Sequence, residues 1–248
     1  MPEGKTRLTE VNGTRLAYRF RPGRSPTLMF LPGYASDMEG TKALALDAFA
    51  EAEGMAMLRF DYSGTGESGG EFEGGTLGGW LEEALALLDT LVEGPAILVG
   101  SSMGGWIALL MAKHRPQRIA ALAGIAAAPD FTDWGYSDSE KETLRRDGRL
   151  EQPNPHAAEP QVTTLGFWQS GEALRLLDEP IPVDCPVRLV HGDADSEVPV
   201  EIAMKTMRQL RSADVQLLLV KGGGHRLSER HEIDAIVRTV AALVEKVQ

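Results

Sequence analysis

A serine framed by glycines is the first feature of this sequence that could do chemistry. Gly100-Ser101-Ser102-Met103-Gly104 fits the pattern G-x-S-x-G. The pattern belongs to a sharp turn from strand to helix that holds the serine out at a sheet edge. The turn is so tight that residues two before and two after the serine must be tiny, or their side chains would collide. The apolar run AILVG (96–100) precedes the motif, and a helical run over 104–114 comes after it. Ser101 is the rival within the motif. It has Val99 and Met103 at the two crowded positions, so the glycine frame selects Ser102. A serine hydroxyl is a weak nucleophile near neutral pH. It needs a base within hydrogen-bond reach and donors aimed at the oxyanion that forms on attack.

Five histidines could supply the base. His114 falls at the end of a predicted helix and is expected at the surface. His231 lies inside the final helix, and His156 lies in a proline-rich stretch. His191 ends a predicted strand and is expected to shape the loop after it. His225 comes after the run VQLLLV (215–220) and the turn Gly222-Gly223-Gly224, and it precedes the last helix. A late loop at the carboxyl end of a strand is where a base can reach Ser102, so His225 is the candidate. The acid is sought in His191-Gly192-Asp193-Ala194-Asp195-Ser196-Glu197-Val198-Pro199. Asp195 sits deeper in this loop, and Asp193 is expected to brace the turn. An Asp195 carboxylate accepting the Nδ1 hydrogen of His225 would fix its tautomer and stabilise the imidazolium. The chain order Ser102, Asp195, His225 is that of α/β hydrolases, unlike trypsin-like or subtilisin-like enzymes.

Two backbone donors would have to hold the oxyanion. One is expected from Met103, after the nucleophile, and one from the loop after an early strand. TLMFL (27–31) runs into Pro32-Gly33-Tyr34-Ala35-Ser36-Asp37. Gly33 permits close approach there, and the Tyr34 N–H is the expected donor. A second glycine pattern, Gly64-Thr65-Gly66-Glu67-Ser68-Gly69, fits G-x-G-x-x-G. It runs into Gly70-Glu71-Phe72-Glu73-Gly74-Gly75, which is no helix start and whose acids would repel a pyrophosphate. No cofactor is expected, and the loop is expected to pack beside the site. His191, Asp193 and Asp195 share one tight loop, a poor cage for three ligands, so no metal is expected.

The elements that must position these residues alternate. Runs 14–20, 27–31, 55–62, 96–100, 118–126, 187–192 and 215–220 read as strands or buried runs. Runs 42–53, 77–93, 104–114, 200–210 and 229–247 read as helices. The first of these is assigned Leu44, Ala48 and Ala52 as its apolar face. Such alternation predicts an α/β fold with a mostly parallel central sheet flanked by helices. Residues 129–181 break the rhythm with charge, proline and aromatics. The expected organisation is a core of 1–128 and 182–248, with 129–181 as a lid inserted at the ligand-binding edge of the sheet. Phe131, Trp134, Phe167 and Trp168 of this stretch, with Met38, could line an acyl channel or form lid core. Arg145, Arg146 and Arg149 are expected on a solvated helix face, with an anion-binding role as the alternative.

Length and charge narrow the partners. At 248 residues the chain suits one large domain. A net charge of −11 argues against nucleic acid. No apolar run approaches the ~20 residues of a membrane span, and the polar start MPEGKTRLTE lacks the core of a secretory signal. With Cys185 as the lone cysteine, no internal disulfide can form. A cytoplasmic protein is expected.

Five segments carry a resemblance: LPGYASDMEGTKA, RFDYSGTGESGGEF, ILVGSSMGGW, IPVDCPVRLVHGDADSEVP and GGGHR. In this order the chain resembles the α/β-hydrolase subfamily of the mammalian mitochondrial palmitoyl-protein thioesterase, also called mycophenolic acid acyl-glucuronide esterase. The resemblance runs from about Tyr18 to the final helix. It implies an α/β-hydrolase fold and a cofactor-free serine hydrolase of acyl thioesters and activated esters. Its substrates would be small acyl compounds or an acylated protein. It also implies Ser102, Asp195 and His225 as nucleophile, acid and base, with Tyr34 and Met103 as oxyanion donors. No mitochondrial presequence is expected from the polar start, a departure from the subfamily, and the match is weakest over 129–181. Other activities on this fold, a peptidase or a lactone hydrolase, are the alternatives within the class. A catalytically inactive binding module is the alternative outside it, although such a module need not keep all three side chains. A dehalogenase would need an aspartate at position 102.

Overall fold

The computed structural model describes residues 5–153 and 160–247. The chain opens with strands β1 (Arg7–Val11), β2 (Thr14–Arg21) and β3 (Arg24–Leu31). Next come α1 (Thr41–Ala52), β4 (Met55–Phe60), α2 (Leu77–Leu91), β5 (Ala96–Ser101), α3 (Met103–His114) and β6 (Ile119–Ile125). The irregular stretch holds α4 (Phe131–Trp134), α5 (Asp138–Asp147), β7 (Arg149–Gln152), β8 (Gln161–Thr164) and α6 (Leu165–Glu172). Alternation resumes with β9 (Val187–Gly192), α7 (Val200–Gln209), β10 (Val215–Val220) and α8 (Arg230–Val247).

One eight-stranded sheet runs in the order β1-β2-β4-β3-β5-β6-β9-β10. Strands from β4 through β10 pair in parallel; β2 pairs antiparallel with both β1 and β4. β1 is the strand of this sheet that periodicity missed. Its RLTEV offers little apolar signal, and Leu8 is 53% exposed. It forms because β2 gives it a ladder partner.

Neighbouring strand residues point to opposite faces, and the two faces bury separate cores. Met29, Leu31, Leu58, Phe60 and Leu98 join Trp80, Leu88 and Trp106 of α2 and α3. Leu28, Phe30, Met57, Ile97 and Val99 join Ala43 and Leu46 of α1 and Ile236 and Val240 of α8. Central strands therefore read as unbroken apolar runs, because both faces are covered. The apolar face assigned to α1 is corrected: Ala43, Leu46 and Ala50 are buried, while Leu44, Ala48 and Ala52 are exposed. The helix carries alanine and leucine on two faces, so spacing alone could not choose between them.

The irregular stretch is built from local signals. Ser137 and Glu140 form a reciprocal capping box at the start of α5, and Gly148 ends it at φ 78°. β7 and β8 pair antiparallel as a separate two-stranded sheet. The stretch is tied shut by Asp130, whose buried carboxylate accepts the amide hydrogens of Leu176 at 2.8 Å and Leu177 at 2.7 Å. Tyr136, Leu144 and Trp168 make a small core of their own. Among the described residues, no helix is long and apolar enough to cross a membrane.

Candidate active site

Ser102 sits between β5 and α3 with φ 53° and ψ −119°, a backbone shape that a non-glycine residue rarely holds. Its own N–H donates to the Ile125 carbonyl at 2.9 Å. The framing glycines carry this turn. A Cβ on Gly100 would lie 2.2 Å from the Gly104 carbonyl oxygen, and one on Gly104 would lie 2.1 Å from the Leu31 carbonyl oxygen. Ser101 is buried as the last residue of β5.

His225 reaches both partners. Its Nε2 stands 3.0 Å from Ser102 Oγ and its Nδ1 stands 2.9 Å from Asp195 Oδ2. The Asp195 carboxylate is fully buried, and its other oxygen accepts the N–H groups of Glu197 and Val198, each at 2.9 Å. Burial pushes this carboxyl upward, but the bonds from His225, Val198 and Glu197 outweigh it and hold the group below its ordinary value. His191 shapes the loop as expected: its buried Nε2 lies 2.9 Å from the Val198 carbonyl and 3.5 Å from Asp195 Oδ2. Asp193 braces the turn by accepting the Gly222 N–H at 2.5 Å. His114 and His231 are exposed, and His156 lies outside the described residues.

The loop after β3 passes over the elbow. A Cβ on Gly33 would lie 3.4 Å from Ser102 Cβ, close packing that the small residue permits. The amides of Tyr34 and Met103 donate no hydrogen bond to other described residues. The Tyr34 ring packs against Phe72, Trp80, Phe131 and Phe167. The loop is anchored behind by two buried charges of the β4 end: Asp61 accepts the Met38 N–H at 2.7 Å, and Arg59 donates to the Met38 carbonyl at 2.7 Å. The G-x-G-x-x-G loop wraps this same aspartate. Glu67 N–H donates to Asp61, and a Cβ on Gly66 would fall 2.1 Å from its carboxylate oxygen. The glycines there serve a turn around a buried acid.

Ser102 and His225 open into a cavity of about 580 Å³. Phe131, Trp134 and Tyr136 line it, with Gln152 and Gln161 contributed by β7 and β8. Met38, Phe167 and Trp168 do not: all three are core residues, buried by packing. Arg145, Arg146 and Arg149 lie away from it. Arg145 stacks over Trp168, Arg146 pairs with Asp147, and Arg149 pairs with Glu73 and Glu151. Lys42, Glu197 and Arg226 also line the cavity. Sequence reading passed over all three, although Arg226 is the next residue after His225. Among the described residues, no cluster of three His, Cys, Asp or Glu side chains could hold a metal ion.

The sheet order, the strand-to-helix elbow and the cavity at the carboxyl ends of the strands define an α/β hydrolase. The model of the prolyl oligopeptidase family matches residues 46–248. The chain is 40% identical over 249 residues to the human palmitoyl-protein thioesterase ABHD10, mitochondrial, covering 98% of this chain and 81% of that protein. It is 41% identical over 236 residues to the bovine protein of the same name, covering 93% and 77%. The mouse alpha/beta hydrolase domain-containing protein 10 superposes with a TM-score of 0.93 at 36% identity, covering 98% of this chain and 100% of that one. A protein from Agrobacterium vitis superposes with a TM-score of 0.91 at 38% identity, covering 99% of each. The chain belongs to the prolyl oligopeptidase family of α/β hydrolases and, within it, to the branch that holds the ABHD10 proteins.

Proposed function

We propose that this protein is a serine hydrolase that cleaves acyl thioesters and carboxylic esters through an acyl-enzyme on Ser102. His225 is the general base and acid, Asp195 orients it, and the Tyr34 and Met103 amides bind the oxyanion. The observation that carries the reading is the bridge made by His225, 3.0 Å from Ser102 Oγ and 2.9 Å from Asp195 Oδ2. As Ser102 Oγ attacks the acyl carbonyl, its proton passes to His225 Nε2, and Asp195 stabilises the imidazolium. The carbonyl oxygen becomes an oxyanion held by two N–H groups, each worth about 3–4 kcal/mol to the transition state. Collapse expels the thiol or alcohol, protonated by His225. Water, deprotonated by the same ring, then releases the acid. General base help contributes roughly 10²–10⁴-fold.

Thioester chemistry is supported by the relatives named as palmitoyl-protein thioesterases. The same names support an acylated protein as one substrate, and the chemistry extends to small acyl thioesters and esters. Peptide cleavage rests on a family name alone, and no feature of the cavity favours it. The stretch 129–181 acts as a lid on the core of 1–128 and 182–248, supported by Phe131, Trp134 and Tyr136 in the cavity wall. A cytoplasmic location belongs to the same proposal, tested by fractionating the native cell; the curated relatives bear mitochondrial names.

The test is labelling with a fluorophosphonate probe. Labelling that survives Ser101→Ala and vanishes in Ser102→Ala is the expected result. A folded wild type that takes no label would overturn the hydrolase and promote a binding module. Hydrolysis of a panel of matched acyl thioesters and esters then sets thioester against ester preference.

A further inference from the structure

Glu197 stands on the loop that carries Asp195. Its N–H donates to Asp195 Oδ1 at 2.9 Å, as does the Val198 N–H, so the backbone at 197 is pinned to the group that bonds His225. The residue lines the cavity that holds Ser102 and His225. Its Oε2 lies 3.9 Å from His225 Nε2. Ser102 Oγ stands 3.0 Å from the same nitrogen.

The two carboxylates around this ring differ in reach. That of Asp195 is fully buried and bonds to Nδ1, so it is closed to solvent. That of Glu197 is 45% exposed and stands near Nε2, the reacting nitrogen. At 3.9 Å it is too far to bond that nitrogen directly. It is close enough for one water to lie between and bond to both. The other acid of the cavity wall, Asp37, is engaged with the Glu39 N–H at 2.9 Å.

The second half of the proposed reaction gives this arrangement a use. Once Ser102 is acylated, its Oγ has no hydrogen to give, and Nε2 turns its lone pair to the incoming water. That water must aim a lone pair at the acyl carbon while one of its hydrogens points at Nε2. A second acceptor, on the other hydrogen, fixes the rotation that remains. The first half needs no such help, because the covalent chain itself places Oγ.

We propose that Glu197 is the acceptor that orients the hydrolytic water during deacylation. The proposal rests on the hydrolase reading above. The water oxygen bonds to the acyl carbon as one hydrogen passes to Nε2. The tetrahedral centre then expels Ser102 Oγ, which takes that hydrogen back, and the acid leaves. Glu197 accepts the other hydrogen as a hydrogen bond throughout and takes no proton.

The probe is p-nitrophenyl acetate, since each acetylation of Ser102 releases one coloured ion. Rapid-quench mass spectrometry of the intact protein gives the acetylated fraction, and with turnover it separates formation of the acetyl-enzyme from its decay. In Glu197→Ala the decay constant is expected to fall about tenfold or more, the usual worth of a hydrogen bond to a charged group. In Glu197→Gln it should fall less, because the amide oxygen still accepts. Formation, and the rate of fluorophosphonate labelling, should stay within about twofold of wild type in both variants, so acetyl-enzyme builds up. A decay constant in Glu197→Ala equal to wild type, or no rise in acetyl-enzyme, overturns the assignment. So does a fall in formation by the same factor as decay, which would place Glu197 in the shape of the loop or in the charge around His225. These results leave the hydrolase standing. A folded wild type that releases no p-nitrophenolate and takes no label on Ser102 overturns both readings.

Discussion

The Tyr34 hydroxyl donates to the Val162 carbonyl at 2.7 Å. A residue that lines the cavity with Ser102 is therefore tied through its ring to β8. Under the function proposed above, this tie steadies the loop whose amide binds the oxyanion.

Tyr34→Phe removes this tie and keeps the ring in its aromatic cluster. The expected cost to stability is about 0.5–1.5 kcal/mol, the usual net worth of one such bond. The Val162 carbonyl is left with one acceptor unfilled. Because the amide is no longer held, kcat should fall more than KM changes. Urea unfolding and steady-state kinetics on one thioester check both parts.

Asp195→Asn keeps the shape of the acid and loses its charge. By analogy with the same change in a serine protease, kcat should drop roughly 10⁴-fold, because the wrong histidine tautomer is favoured. The carboxyl is held below its ordinary value in the fold. Its contribution to stability is thus present above the unfolded value of about 3.9 and is lost as pH falls through the folded value. Acid unfolding curves of wild type and variant should converge at the low end of that window.

Gly104→Ala should be poorly tolerated. Its Cβ would lie 2.1 Å from the Leu31 carbonyl oxygen, and backbone cannot swing aside as a side chain can. A loss of roughly 3 kcal/mol or more is expected, with weaker labelling of Ser102 in whatever folds. Gly74→Ala is the control, since its Cβ would meet nothing within 4 Å. It should stay within about 0.5 kcal/mol of wild type. Thermal melts of the pair decide.

Asp130→Ala unties the two ends of the insertion. It leaves the Leu176 and Leu177 amides buried without their acceptor. Each such group costs about 1–3 kcal/mol. Limited proteolysis should cut within 131–175 sooner than in wild type, and chemical denaturation should show the loss.

Much of the fold is legible in the sequence. LMFL, AILV and the leucines of α2 are apolar because both faces of a parallel sheet are covered, and that chemistry shows in single residues. The elbow is legible for a related reason: Gly100 is demanded by the Gly104 backbone within the same turn, although Gly104 answers to the Leu31 carbonyl of β3. The insertion is harder. β7 and β8 are four residues each and mixed in polarity, so they gain order only from each other and from Tyr136, Leu144 and Trp168. The α1 face misleads because its small residues repeat on two sides. Met38, Phe167 and Trp168 share the chemistry of cavity residues, and only packing tells a wall from a core.

The alternation of strand and helix, the glycine-framed Ser102 and the order in which Asp195 and His225 come after it can all be read along the chain. These depend on local sterics and on burial, which act residue by residue along the chain. The tertiary structure alone decided that His225 lies 3.0 Å from a serine 123 positions away, and that Lys42 and Arg226 meet at one cavity. Such meetings depend on how the parallel strands stack side by side and where their carboxyl ends converge, and no spacing along the chain encodes that distance.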